Sequence, residues 1–534
     1  MATVLSTLSC CGSLFLEYSG QVRNVIHFGT WGESMAKYTR ANAWNKGGTF
    51  DNTDLLWYAK GVAAMQAEAL NATSSWWFFA AIHGINIAGW GHVPAPPRVP
   101  TTPLPSPDVS KLYWAQCQHQ SWFFPPWHRG YLLALEAHIR AAVVKAGGPA
   151  MWALPYWNYF GGGNEAKLPP AFTQKTLPDG KTPNPLYVAA RYGTGADLSR
   201  INQKCLSNTI YQGQNPQTPF PGFGGPVTGF WHGGGTSGNL ESNPHNLVHT
   251  EVGGRGGLMS DPDYAALDPI FYLHHANIDR MWAGWNQKYP NPAVDQWLKG
   301  PTATGDRKFV MPMPDGKAWH YTPGDVNSLS QLDYGYDNLP APPTVNLLAQ
   351  RLTRLGAVAA ASKVTEGATV IPGKNVELVG ANQQSLPIKG SGVSTTVRLD
   401  PGVRRKVIAS LTHASETATP DRVLLNLENV RGVQDAAELD VYINLPEGAK
   451  HGDHPELFAG SVSLFGLRKA SEKDEKHGGA GLNLVLDITE IVDALHLKKE
   501  LDVDSLNVRI VPAHEVRDED QITVGRVSIY RHGH

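Results

Sequence analysis

The chain has 534 residues, too many for one ordinary hydrophobic core, so two or more domains are expected. Hydrophobic residues make up 42% and charged residues 17%, the balance of a globular chain and not a disordered one. A formal net charge of −2 gives no electrostatic basis for a nucleic-acid partner or an acidic membrane surface.

Residues 1–50 mix Gly and Thr with apolar positions and show no clear element. Cys10 and Cys11 sit in a mildly apolar run that lacks a basic start and meets Glu17 soon after, a poor match to a cleaved leader. With Cys117 and Cys205 they make four cysteines without regular spacing, so no disulfide framework is expected. No apolar stretch is long enough to span a bilayer. The expectation is a soluble, cytoplasmic protein; a homo-oligomer is compatible with the sequence. Sixteen tryptophans, mostly before residue 300, point to a bulky aromatic core in that part.

Leu55 to Leu70 has helical spacing and few breakers. The run Trp76-Trp77-Phe78-Phe79-Ala80-Ala81-Ile82 leads into His83, which should face inward. The prolines from Pro94 to Pro107 make an extended loop. Next come Cys117, His119 and, after Pro125 and Pro126, Trp127-His128; Tyr131, Leu132, Leu135 and Ile139 then recur at helical spacing. His128 thus falls in the first turn of a helix and His119 on the approach to it. Residues 160–240 are rich in Gly, Pro and Asn and read as long connections of the kind that frame sites.

His245 and His249 stand four apart, so on a helix both rings point the same way. Asp268 can cap a helix and Pro269 suits its first position. His275, Ile278, Asp279 and Trp282 then share one face of it. The doublet His274-His275 is open to two readings: a metal ligand with a neighbour, or one core histidine beside one surface histidine. Tyr334-Gly335-Tyr336 precedes the prolines at 340, 342 and 343, a boundary signal. Residues 1–340 are read as one domain, 341–375 as a linker and 376–534 as an all-β, sandwich-like domain. Strands are expected over Arg422–Val430, Glu438–Leu445, Phe458–Phe465, Ser505–Val511 and Ile522–Tyr530.

Two sets of three histidines emerge: His83, His119 and His128, then His245, His249 and His275. Neutral imidazoles with no carboxylate or thiolate completing either set suit copper, zinc, iron or nickel. The HExxH pattern of a zinc hydrolase is absent. Two such sites with open positions suit dioxygen held between two Cu(I) ions. Cys117, two residues before His119, is a buried small hydrophobe on the plain reading; beside copper and oxygen it could be oxidised onto the imidazole as a thioether.

These blocks resemble the coupled binuclear copper proteins: tyrosinases, catechol oxidases and molluscan haemocyanins. The likeness covers roughly residues 20–340. It implies a mainly α-helical catalytic domain whose helical bundle holds two coppers, one on each set of three histidines, with His274 left as a neighbour. The Cys117–His119 spacing resembles the thioether of fungal and molluscan members. Tyr334-x-Tyr336 resembles the end of the catalytic domain in plant-like polyphenol oxidases, where an N-terminal arginine packs on it; Arg23 is the counterpart expected here. The C-terminal region, including Asp440-Val441-Tyr442-Ile443-Asn444, resembles their shielding domain.

The resemblance further implies that small phenolic substrates are oxidised with dioxygen. Monophenols would be hydroxylated and o-diphenols taken to o-quinones. Glu241 and Asn246 match the pair that holds a water able to deprotonate a monophenol. Asp279 is expected to orient a ligand imidazole and Phe271 to pack over the metals. Met259 and Ser260 fall at the expected substrate mouth, and Arg255 is read as a loop cation. His92, His138 and His232 are read as structural or surface residues. The enzyme would stay latent until its C-terminal domain is displaced, with Phe458 or Phe465 as the plug. Alternatives are a haemocyanin-like dioxygen carrier and a catechol oxidase without monophenolase activity.

Overall fold

Side-chain caps start the helices that carry the site. Asn52 accepts the Asp54 N–H at 3.0 Å and opens α1, Thr53–Gln66. The Ser75 hydroxyl accepts the Phe78 N–H at 3.0 Å and opens α2, Trp76–His83. Pro125 and Pro126 occupy the first turn of α3, Phe124–Lys145, where a missing N–H leaves nothing unsatisfied. A tight turn over Glu241–Asn246 runs into α4, Leu247–Gly253. Asp268 accepts the Ile270 N–H at 3.0 Å and opens α5, Ile270–Trp285. These contacts come from a computed structural model, which describes residues 36–533 apart from 95, 194, 214–219, 231–234, 302–307, 344–350, 352–374, 418–419, 451, 474–477 and 502–503.

Helices α1, α3 and α5 pack side by side. Gly61 lets α1 approach α3 closely: a Cβ there would lie 2.7 Å from Ile139 Cγ2. Every residue of α5 is buried, because aromatic and aliphatic side chains from α2, α3 and the connections surround it. Strand β1, Tyr38–Arg40, pairs in parallel with the strand over Tyr334–Tyr336 and joins the two ends of this helical part.

Buried apolar residues form two separate clusters, one reaching from Ala43 to Val326 and one from Val379 to Ile529. The second core lies on a nine-stranded sheet. In chain order its strands are β2 (Gly235–Thr236), then, after the Tyr334–Tyr336 strand (β3), β4 (Asn375–Ala381), β5 (Val393–Leu399), β6 (Arg422–Val430), β7 (Glu438–Ile443), β8 (Phe458–Ser463), β9 (Leu482–Asp487), β10 (Ser505–Pro512) and β11 (Arg526–Gly533). Their order in the sheet is β8-β7-β10-β5-β4-β11-β6-β9-β2. The sandwich-like expectation takes the form of this one curled sheet: a Cβ at Gly460 of β8 would lie 3.0 Å from Leu486 of β9, far along the strand order. Strand β2 comes from the helical part and pairs in parallel with β9, Gly235 opposite Leu482.

The two longest helices among the described residues of the region expected to be all β are α6 (Pro401–Thr417) and α7 (Thr489–Leu497). Leu411 of α6 and Ile491, Val492 and Leu495 of α7 belong to the second core. Most of the expected linker lies outside the described residues; within it, Arg351 is buried and paired with Asp493 of α7 at 2.8 Å. No helix among the described residues is long and apolar enough to cross a membrane.

Candidate metal centre

The six histidines converge. His83 ends α2, His119 lies in the loop before α3, and His128 sits one turn into α3. Their ring centroids are 5.4–5.8 Å apart. His245 lies in the turn before α4, His249 on α4 and His275 on α5, with centroids 4.5–5.6 Å apart. The two sets abut, His128 stacking on His275 at 4.4 Å. All six rings are at most 4% exposed.

Hydrogen bonds on the outer nitrogens fix the tautomers of five of the six rings; His275 Nδ1 is buried without a partner. Nδ1 of His83 donates to Pro262 O (3.0 Å), that of His128 to Phe124 O (2.8 Å) and that of His249 to Met259 O (2.7 Å). His119 Nδ1 donates to Glu241 Oε1 at 2.9 Å, and His245 Nδ1 to Asn246 Oδ1 at 2.8 Å. A neutral ring whose Nδ1 carries the proton has a bare lone pair on Nε2. Yet His83 and His119 face each other Nε2 to Nε2 at 3.4 Å, and His275 Nε2 lies 3.2 Å from His245 Nε2 and 3.4 Å from His249 Nε2. His128 Nε2 is buried with no hydrogen-bond partner. Lone pairs gathered this way repel unless a cation sits among them. The donor set therefore fits two metal ions of the copper class.

Electrostatics agree. Burial drives His83, His128, His245 and His275 well below the ordinary imidazole range, and His249 down to about 3. The rings are thus neutral and ready to ligate. His119 differs: burial pulls it down, but Cys117 and then Glu241 more than offset this and push it up to about 9. The Cys117 sulfur groups with a ring nitrogen of His83 and one of His119 within 4.8 Å. That closeness is what the expected thioether requires, and Cys117 and Cys205 are in no disulfide.

Glu241 is fully buried, and both its oxygens accept the Gln120 N–H at 3.0 Å. Gln120 adopts φ +48°, the left-handed region, which turns that N–H onto the carboxylate. Glu241 and Asn246 therefore each hold one imidazole, one in each set. Phe271 packs 4.1 Å from His275 and 4.8 Å from His83. Phe124 was missed; it lies 4.6 Å from His128 and 4.7 Å from His245. His274 is buried beside the second set, 5.3 Å from His245, and neither of its nitrogens has a hydrogen-bond partner.

Several expectations are corrected. Asp279 touches no imidazole: Arg129 (2.5 Å), Arg40 (3.2 Å) and the hydroxyls of Tyr334 and Tyr336 (2.5 Å each) occupy its oxygens. One turn beyond His275, its side chain points at α3 and β3 instead of at the ligand imidazoles. Arg23 lies outside the described residues; Arg40 stacks on Tyr334, 3.9 Å from the ring centroid, and donates to Tyr336 at 3.0 Å. Met259 and Ser260 are buried, and Met259 serves through its carbonyl. Arg255 pairs with Asp520 (2.8 Å) and Glu519 (3.0 Å) beyond the second core. His138 is structural, bonded to Pro312 O at 3.2 Å, His92 is exposed, and His232 lies outside the described residues.

A ring from the C-terminal part covers the centre. Phe465, just after β8, stacks on His249 at 4.3 Å and lies 5.9 Å from both His245 and His119. Phe458 instead packs on Tyr442 at 5.2 Å. The residues after Phe465 anchor it. Arg468 reaches Asp261 (3.1 Å) and Asp263 (3.3 Å), and Lys469 reaches Asp263 (2.5 Å). Those aspartates flank Pro262, whose carbonyl holds His83.

Residues 73–288 match the common central domain of tyrosinase, and residues 375–532 match a domain of unknown function. A tyrosinase of Hahella sp. (strain CCB-MM4) is 31% identical over 497 residues, covering 89% of this chain and 96% of that one. The chloroplastic polyphenol oxidase B of Solanum lycopersicum is 26% identical over 462 residues, covering 77% and 69%. The structure of latent apple tyrosinase superposes with a TM-score of 0.56 at 21% identity, covering 92% of this chain and 97% of that one. The chain belongs to the tyrosinase and polyphenol oxidase family, and it is an oxidase.

Proposed function

We propose that the protein hydroxylates monophenols and oxidises o-diphenols to o-quinones with dioxygen, and that its C-terminal region keeps it latent. Residues 1–340 would form the catalytic domain, 341–375 the linker and 376–534 the shield, a division supported by the two separate cores. The observation that carries the reading is the set of facing Nε2 atoms on rings of which five, all but His275, already have the outer nitrogen engaged. Two copper ions, on His83, His119 and His128 and on His245, His249 and His275, would supply dioxygen binding and accept the phenol's electrons.

The chain's own work is positioning and proton handling. The carbonyls of Pro262, Phe124 and Met259 hold three rings in one tautomer. Phe271 and Phe124 keep water from the space between the sets. Glu241, with Asn246, would receive the proton that a monophenol must lose before hydroxylation; a catechol's oxidation leans on this less. Glu241→Gln should therefore lower monophenol hydroxylation far more than catechol oxidation in steady-state assays. Equal loss of both would leave Glu241 only the task of holding His119.

Phe465 also favours a second reading. With its ring on His249 a phenol has no face to stack on, whereas dioxygen is small enough to enter. A dioxygen carrier would show no catechol turnover even after residues from about 345 onward are removed.

A further inference from the structure

The seam between the two cores holds a second group of ligating side chains, chemically unlike the histidine centre. Glu251 of α4 meets Glu438 at the start of β7 and His514 just after β10. One ligand atom from each lies within 4.8 Å of the other two. Glu438 is 1% exposed and Glu251 8%. The Thr250 hydroxyl donates to Glu438 Oε1 at 2.5 Å, but Oε2 is buried with no donor. Arg200 reaches Glu251 at 3.4 Å while also serving Asp197 (2.9 Å) and Asp440 (3.3 Å). Two carboxylates brought together out of water, one with an unmet oxygen, call for a positive charge or a shared proton. A cleft of about 280 Å³, lined by Glu251, His514, Arg255 and Gln434 among others, opens at the group and offers both an entry path and water for a remaining coordination position.

We propose that Glu251, Glu438 and His514 form a binding site for a divalent cation of the zinc class. Two carboxylates and one imidazole suit zinc better than calcium, which prefers oxygen alone. The set is a poor match for the all-imidazole chemistry of the copper pair. Because Glu251 comes from the helical part and Glu438 and His514 from the sheet, a bound ion ties the two parts together at a point separate from Phe465.

The test is calorimetric titration of the copper-loaded full chain with zinc sulfate, with copper content measured before and after. The site predicts one zinc per chain with copper unchanged. His514→Ala, an exposed position that should leave the fold intact, and the isosteric Glu438→Gln should each weaken binding by about tenfold or more. Equal affinity in wild type and both variants, zinc uptake matched by copper loss, or tighter binding of calcium than zinc would each overturn the proposal. The outcome does not depend on whether the enzyme hydroxylates phenols or is latent.

Discussion

Phe465 covers His249 from outside the helical part, and a stacked aromatic pair of this kind contributes about 0.5–1.5 kcal/mol beyond its buried area. Phe465→Ala should raise catechol turnover of the intact chain about tenfold, which corresponds to that contact energy. An unchanged rate in a steady-state assay would remove the ring from any part in latency. Single residues were legible in the sequence where local spacing decides their direction. His245 and His249, four apart, share a face, and His128 follows from the prolines that start α3. Choosing between Phe458 and Phe465 needed the docking of β8 against the site, which no local pattern encodes. Arg40 was missed for a similar reason: its place on Tyr334 follows from the parallel pairing of strands almost 300 residues apart.

Among the elements, α5 does the most work, since it carries His275 and, one turn on, Asp279. Burial would raise the Asp279 carboxyl, but Arg129 and Arg40 outweigh it and hold the group below the usual range. A depressed carboxylate contributes stability that is present above its unfolded pKa and is lost as pH falls through the folded value. Asp279→Asn should destabilise the protein by about 3 kcal/mol or more, because the buried Arg129 loses its counter-charge while Arg40 keeps only Glu136. It should also flatten the loss of stability on acidification; denaturant unfolding at pH 7 and pH 4 measures both effects. A cost near zero would show that the tyrosines alone hold this junction. The start of α5 was readable from Asp268 and Pro269, and the central strands from their alternation. Helices α6 and α7 were not, because β-branched Val, Ile and Thr at many of their positions weaken a helical reading that packing against the sheet overrides.

For the whole molecule, the contact between the helical part and the sheet is built from charges as well as from Phe465. Asp435 faces Arg468, Asp261 and Asp263; burial, then Asp261, push it up to about 8, with Arg468 opposing. An acid raised above its usual value of about 3.9 favours the folded arrangement fully below that value and loses this contribution as pH rises through about 8. Melting temperature should therefore fall more steeply between pH 6 and about pH 9 in the wild type than in Asp435→Asn; parallel curves would count against it. Two-part organisation was legible from the change of pattern near Val376, whereas the entry of Gly235–Thr236 into the C-terminal sheet was not, since two residues carry no periodicity. All of this rests on six imidazoles converging to hold two cations. Copper analysis combined with electron paramagnetic resonance of the oxidised protein tests that most directly. Two coppers per chain with no resonance signal, their spins paired, is the predicted result; one copper, none, or two independent signals would contradict it.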